Sequence, residues 1–227
     1  TADGGIAELA ALGSDRGVPV LVDQGCGRLF REGPGPASEQ SVEELLDVGA
    51  DLVCFSGDKL LGGPQSGVLV GSAEIVQRCA ENPLARALRP GKLTLAALSA
   101  TFAAWLAADP GASLPAVRMT GASADALRGA ARRLAALIRR RVPGATVRLV
   151  DGVSRVGGGA APEEDLPTVL VEVRPSAISD DALLERLRLD DPPVVARAQD
   201  GAVLFDPRTL LPGEEKIVAE KVGRALS

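Results

Sequence analysis

Two short strand-like runs, Val18 to Val22 and Asp51 to Phe55, govern what this chain is able to fold into. Each follows residues at helical spacing, Ile6 to Leu12 and Val42 to Val48. Helix and strand signals alternating at this spacing imply βαβ units and a mostly parallel sheet, hence an α/β fold. A further apolar run, Gly67 to Val70, comes after a Gly62-Gly63-Pro64 turn that stops any helix beginning at Lys59. Ser72 is placed to cap a short helix through Ala80, and Leu93 to Leu106 reads as a long helix rich in Ala and Leu.

The texture changes after Ala108-Asp109-Pro110-Gly111, which reads as a domain junction and divides the chain into 1–109 and 110–227. Beyond it Leu127, Ala131, Leu134 and Ile138 recur at helical spacing with arginines around them, a pattern that reads as a helix with a solvated basic face. Strand-like segments follow at Ala145–Val150, Thr168–Val173, Pro193–Ala198 and Ala202–Phe205. Helical ones follow at Ser179–Arg188 and Glu214–Leu226. The second domain is therefore expected to be small and α+β.

Composition narrows the chemistry. With 227 residues, 46% of them apolar, the chain can bury two modest cores. No apolar run approaches the roughly 18 residues of a membrane span. Thr1 leads into a polar, Ala-rich stretch that does not read as a secretory signal, so a cytoplasmic location is expected. The net charge of −5 argues against gripping a polyanion by bulk electrostatics. Histidine is absent and the three cysteines are widely spaced, which removes Ser/His/Asp triads, Cys/His pairs and the usual His-containing metal sites. No metal is expected. What remains is carboxylate, lysine, arginine or cofactor chemistry.

Lys59 directly follows a strongly apolar strand, at its carboxyl end, where open parallel sheets place their ligands. A lysine there, partly desolvated, loses its proton readily and can form an imine with an aldehyde. From position alone a solvated loop lysine is the better reading. The neighbouring residues carry more information. Ser56-Gly57-Asp58-Lys59-Leu60-Leu61-Gly62-Gly63-Pro64-Gln65-Ser66-Gly67 resembles the cofactor-lysine segment of the selenocysteine synthase family, fold-type-I enzymes that use pyridoxal 5'-phosphate. Pro19 to Gly27, Asn82 to Arg89, Lys92 to Leu98, Asp191 to Arg197 and Leu204 to Leu210 continue the resemblance in order along nearly the whole chain.

The resemblance implies the second half of a fold-type-I large domain followed by the small domain. It also assigns roles. Lys59 would bind the cofactor and act as base on the substrate α-proton, and Asp23 would hold the protonated pyridine nitrogen. Ser56 would donate its hydroxyl to the cofactor phosphate, although a turn serine is nearly as good a reading. Asp58 would move a proton near the leaving group. Arg86 and Arg89, three apart and on one face if that stretch is helical, would bind the anionic selenium donor, selenophosphate. Arg197 would sit near the substrate's acyl carbon.

The implied reaction converts seryl-tRNA to selenocysteinyl-tRNA through an aminoacrylyl intermediate, in a homo-oligomer built from dimers. Two alternatives stay open: a related lyase acting on a free amino acid or amino sugar acid, and an inactive fragment or scaffold. Family members are longer than this chain, so the resemblance implies a partial enzyme. The Asp23-Gln24-Gly25-Cys26-Gly27 turn departs from the family's usual Asp-Leu-Gly-Ser-Gly, which leaves the role of Cys26 open.

Overall fold

The computed structural model describes residues 5–32, 38–157 and 160–227, the side chains of 162 and 163 excepted. It divides into two compact units: residues 1–121 with 156–164, and residues 122–155 with 165–227. The stretch 108–111 lies inside the first unit, where Pro110–Ala112 forms a single 3-10 turn.

In the first unit, α1 (Ile6–Arg16), β1 (Leu21–Gly25), α2 (Val42–Asp47), β2 (Leu52–Ser56) and β3 (Gly67–Gly71) are followed by four helices: α3 (Ala73–Glu81), α4 (Pro83–Leu88), α5 (Lys92–Trp105) and α6 (Pro115–Gly121). The sheet order is β1-β2-β3. β1 and β2 run parallel with Asp23 opposite Cys54, as the alternation implies, but β2 and β3 are antiparallel. The sheet is thus mixed. A parallel return needs a crossover of about a dozen residues or more, usually helical; the connection through 57–66 is a coiled turn with no helix, so the chain can only double back.

β1 also starts later than its apolar run. Val20 N–H donates to the Asp51 carboxylate (2.7 Å) while Val20 C=O receives Asp51 N–H (2.9 Å), so the ladder proper opens at Leu21. Asp23 therefore lies within the strand rather than past its end. α2 begins with a capping box in which Ser41 Oγ accepts from Glu44 N–H (3.1 Å) and the Glu44 carboxylate accepts from Ser41 N–H (2.7 Å). Ser72 occupies the N-cap position of α3 without making a side-chain cap bond. Val42, Leu45, Val53, Phe55, Leu61, Leu98 and Trp105 form the core.

The second unit comprises α7 (Ala124–Arg141), most of β4 (Thr146–Val156) and β5 (Ala161–Arg174), then α8 (Asp180–Leu189), β6 (Arg197–Gln199), β7 (Ala202–Phe205) and α9 (Glu214–Leu226). The sheet order is β4-β5-β7-β6. The four α7 residues picked out by helical spacing are all buried, and Ala131, Leu134 and Ile138 pack among Val169, Val171, Leu183, Leu187, Val203 and Val222. β6 is shorter than the expected Pro193–Ala198. Pro192 and Pro193 have no N–H for a ladder, and Val194 N–H is committed to Leu187 C=O at the end of α8 (2.8 Å). No helix among the described residues is long and apolar enough to cross a membrane.

A buried arginine and a half-buried aspartate organise this unit. Arg208 is 6% exposed; its guanidinium donates to Ser154 Oγ (2.9 Å), Ala122 C=O (2.7 Å) and Pro167 C=O (2.7 Å). Asp206 accepts from Ser154 Oγ (2.5 Å), Thr168 Oγ1 (2.9 Å) and Arg208 N–H (3.0 Å). Burial pulls the Arg208 pKa down and the Asp206 charge pushes it back up. Replacing Asp206 with Ala strands the buried guanidinium and two hydroxyl donors, and is expected to cost about 3–5 kcal/mol, read as a lower urea midpoint. A midpoint equal to wild type would show that the network contributes little.

Candidate functional site at the carboxyl ends of β1 and β2

The site is built from two turns, one leaving β1 and one leaving β2. The first, 24–28, carries Gly25 and Gly27 at φ +73° and +82°, a left-handed backbone suited to glycine. It sits on the second: Leu60 N–H donates to Cys26 C=O (2.9 Å), and a Cβ at Gly27 would lie 3.0 Å from Ser56 O and 3.3 Å from Leu61 Cβ.

The second turn carries the lysine. Gly57 N–H donates to Ser66 C=O (2.8 Å), Gly63 N–H to Gly57 C=O (2.8 Å) and Gly62 N–H to Lys59 C=O (3.0 Å), which closes 57–66 on itself. A Cβ at Gly57 would stand 2.3 Å from Ser66 Oγ and 2.7 Å from Pro64 O, so no larger residue fits there. From α5, Trp105 Nε1 donates to the Leu61 carbonyl (2.9 Å), and the Leu61 side chain is fully buried.

Lys59 emerges from this turn half-buried, with Asp58 exposed beside it. A Cβ built on Gly25 would be 3.8 Å from Asp23 Oδ1 and 4.0 Å from Lys59 Nζ. The carboxylate and the amine therefore both lie beside Gly25, separated by no more than the sum of those two distances. Ser56 ends β2, half-buried, opposite Gly67. Asp23 also faces Cys54 across the strands. Burial raises the Cys54 pKa, as do the charge of Asp23 and a hydrogen bond to it, so this thiol stays protonated at neutral pH. Burial likewise pushes the Cys26 thiol up, with the Arg28 amide and, more weakly, Lys59 pulling the other way. Cys26 packs with Leu60 and Ala160 and is a packing residue, not an activated thiol.

The arrangement offers a primary amine able to form an imine and, on β1, a carboxylate able to hold a protonated ring nitrogen. The remaining expected residues stand on other elements. Arg86 is exposed on α4, but Arg89 is past the helix end, as its C-cap, with extended backbone (φ −61°, ψ 126°). The expectation that both share a helical face fails because Pro90 disfavours helical geometry in the residue before it. Arg197 belongs to the second unit. It is exposed at the start of β6 and donates from Nη2 to Val153 C=O (3.0 Å), in a groove of about 520 Å³ that also includes Arg155, Glu172 and Gln199.

Sequence reasoning missed Trp105, Gln24 and the meeting of Asp23 and Lys59 at Gly25. The first had a signal: it is the sole tryptophan of the chain and ends a helix rich in Ala and Leu.

The family described as L-seryl-tRNA selenium transferase matches residues 1–211. The L-seryl-tRNA(Sec) selenium transferase of Solidesulfovibrio magneticus is 49% identical over 97% of the chain and 48% of its own length, and that of Desulfomicrobium baculatum 45% identical over 94% and 47%. The chain thus spans about half the length of the curated relatives it matches. Among solved structures, D-glucosaminate-6-phosphate ammonia-lyase shares the fold, with TM-score 0.58, 18% identity, 98% of this chain covered and 53% of the other. The α/β class expected from the alternation holds, as part of the larger fold-type-I architecture.

Gly57→Ala tests the tight turn. The added methyl meets backbone on one side and is expected to destabilise the first unit by about 1–3 kcal/mol, measured by urea unfolding with Trp105 fluorescence. An unchanged midpoint would mean that the turn has room to spare.

Proposed function

Because this chain belongs to the L-seryl-tRNA selenium transferase family, we propose that it carries the lysine-bearing part of a pyridoxal-phosphate enzyme that replaces the seryl hydroxyl on selenocysteine tRNA with selenium. One observation carries this reading: the Lys59 amine and the Asp23 carboxylate both lie beside Gly25 at the carboxyl ends of two parallel strands. That spacing suits a flat heteroaromatic aldehyde held at both ends.

Bound there, pyridoxal 5'-phosphate supplies an electron sink for charge developing at the substrate α-carbon. Asp23 holds a proton at the ring nitrogen and so keeps that sink effective. The half-buried Lys59 amine is the covalent tether and then the base that takes the α-proton. Asp58, adjacent and exposed, moves a proton at the departing hydroxyl. The Ser56 hydroxyl donates to the cofactor phosphate. Arg86 and Arg89, both exposed, attract the doubly charged selenophosphate, and Arg197 receives the acyl end of the substrate. The whole enzyme works in the cytoplasm as a homo-oligomer of dimers, with regions outside this chain gripping most of the tRNA, since the chain's net charge is −5.

A second reading, a lyase acting on a free amino acid or amino sugar acid, draws on the fold shared with D-glucosaminate-6-phosphate ammonia-lyase. The 49% identity to a selenium transferase against 18% to the lyase favours the first.

Adding pyridoxal phosphate to the intact protein is expected to produce the visible absorbance of a lysine-linked cofactor, absent in Lys59→Ala. No such band in the wild type would end the cofactor reading. Seryl-tRNA is then expected to shift that band; a band moved by a small amino acid but not by seryl-tRNA would leave the lyase in its place.

A further inference from the structure

We infer that Gln24 is a positioning residue that sets the distance and angle between Asp23 and Lys59, and so the orientation of whatever ring they hold; this rests on the pyridoxal-phosphate reading above. The β1–β2 register slips between Asp23 and Gly25, which leaves Gln24 as the extra residue of a bulge directly between the two. Its main-chain carbonyl receives Cys26 N–H (2.9 Å), so the chain reverses tightly at this point.

The side chain then clamps the reversal from outside. Gln24 Oε1 accepts from Gly27 N–H (2.7 Å), while Nε2 donates to Gln40 C=O (3.0 Å) and more weakly to Arg28 C=O (3.4 Å). Gln40 immediately precedes the capping box of α2, a rigid anchor. One amide thus ties the glycine turn to the start of a helix. On its other side the same turn holds the lysine segment through Cys26 C=O and Leu60 N–H. Val42 N–H and Glu43 N–H also tie α2 to the end of the turn, at Arg28 C=O (2.8 Å) and Leu29 C=O (3.1 Å), so Gln24 is the tie that reaches the glycine residues themselves. With Gly25 and Gly27 both at positive φ, the turn has little stiffness of its own. An apolar side chain at 24, such as leucine, could make none of these bonds.

The test uses the intact protein, pyridoxal phosphate and two variants. Gln24→Met keeps the length of the side chain and removes all three bonds. It is expected to weaken cofactor binding roughly tenfold, the loss of one to two net hydrogen bonds. It should also lower the visible circular dichroism per bound cofactor, which reads ring orientation and which a purely stabilising residue would leave unchanged. Gln24→Glu keeps the acceptor for Gly27 N–H and loses both donors, so intermediate values are expected; it decides alone if the first variant does not fold. Wild-type affinity and dichroism in a folded variant overturn the inference while the cofactor reading stands. A wild type that shows no lysine-linked absorbance sinks both.

Discussion

The backbone hydrogen bond from Leu60 N–H to Cys26 C=O joins the two turns on which the first unit depends. Cys26 is 3% exposed and Leu60 6%, so neither group could turn to water if the bond were lost. The aspartate-bearing strand and the lysine-bearing turn are consequently held in fixed relation by main chain. The attraction between an exposed carboxylate and a half-buried amine would be too weak and too easily screened to do this. Side chains serve the backbone here: Trp105 ties the Leu61 carbonyl to α5, Gln24 ties the glycine turn to α2, and the Cys54 thiol leans on Asp23.

The second unit uses the same device with charge added. Asp206 and Arg208 gather Ala122, Ser154, Pro167 and Thr168, points distant in sequence, and the guanidinium spends its donors on two carbonyls and a hydroxyl. Lys221, 3% exposed on α9, does likewise at the end of α8 by donating to the Asp190 carboxylate (3.0 Å) and the Asp191 carbonyl. That anchor holds the Pro-rich stretch leading to Arg197. Both cases follow from the cost of an unpaired buried cation, which is several kcal/mol and so leaves one arrangement preferred.

Particular elements show why parts of this fold were readable. α7 is legible because Leu127, Ala131, Leu134 and Ile138 repeat at the helical period and that period is a local property. α8 and α9 declare themselves by the Ser179 cap and an amphipathic pattern. β1 was misplaced by a few residues because an apolar run shows where a strand can be, whereas the ladder begins where a partner lies alongside, and Asp51 intercepts Val20 first. The direction of β3 was missed because it follows from the length and internal bonding of the lysine turn. The register of Arg89 was missed because Pro90 acts through the backbone of its predecessor.

By itself the sequence determined the α/β class, most of the helices and most strands, and, through one contiguous motif, pointed to Lys59 and Asp23. These are properties of neighbours along the chain: periodicity, caps and a run of residues. Only the tertiary structure decided that Asp23 and Lys59 come together beside Gly25, that Gln24 and Trp105 hold the turns around them, and that Cys26 is a packing thiol. Those outcomes rest on single hydrogen bonds and contacts between segments remote in sequence, and such contacts leave no period along the chain from which to read them.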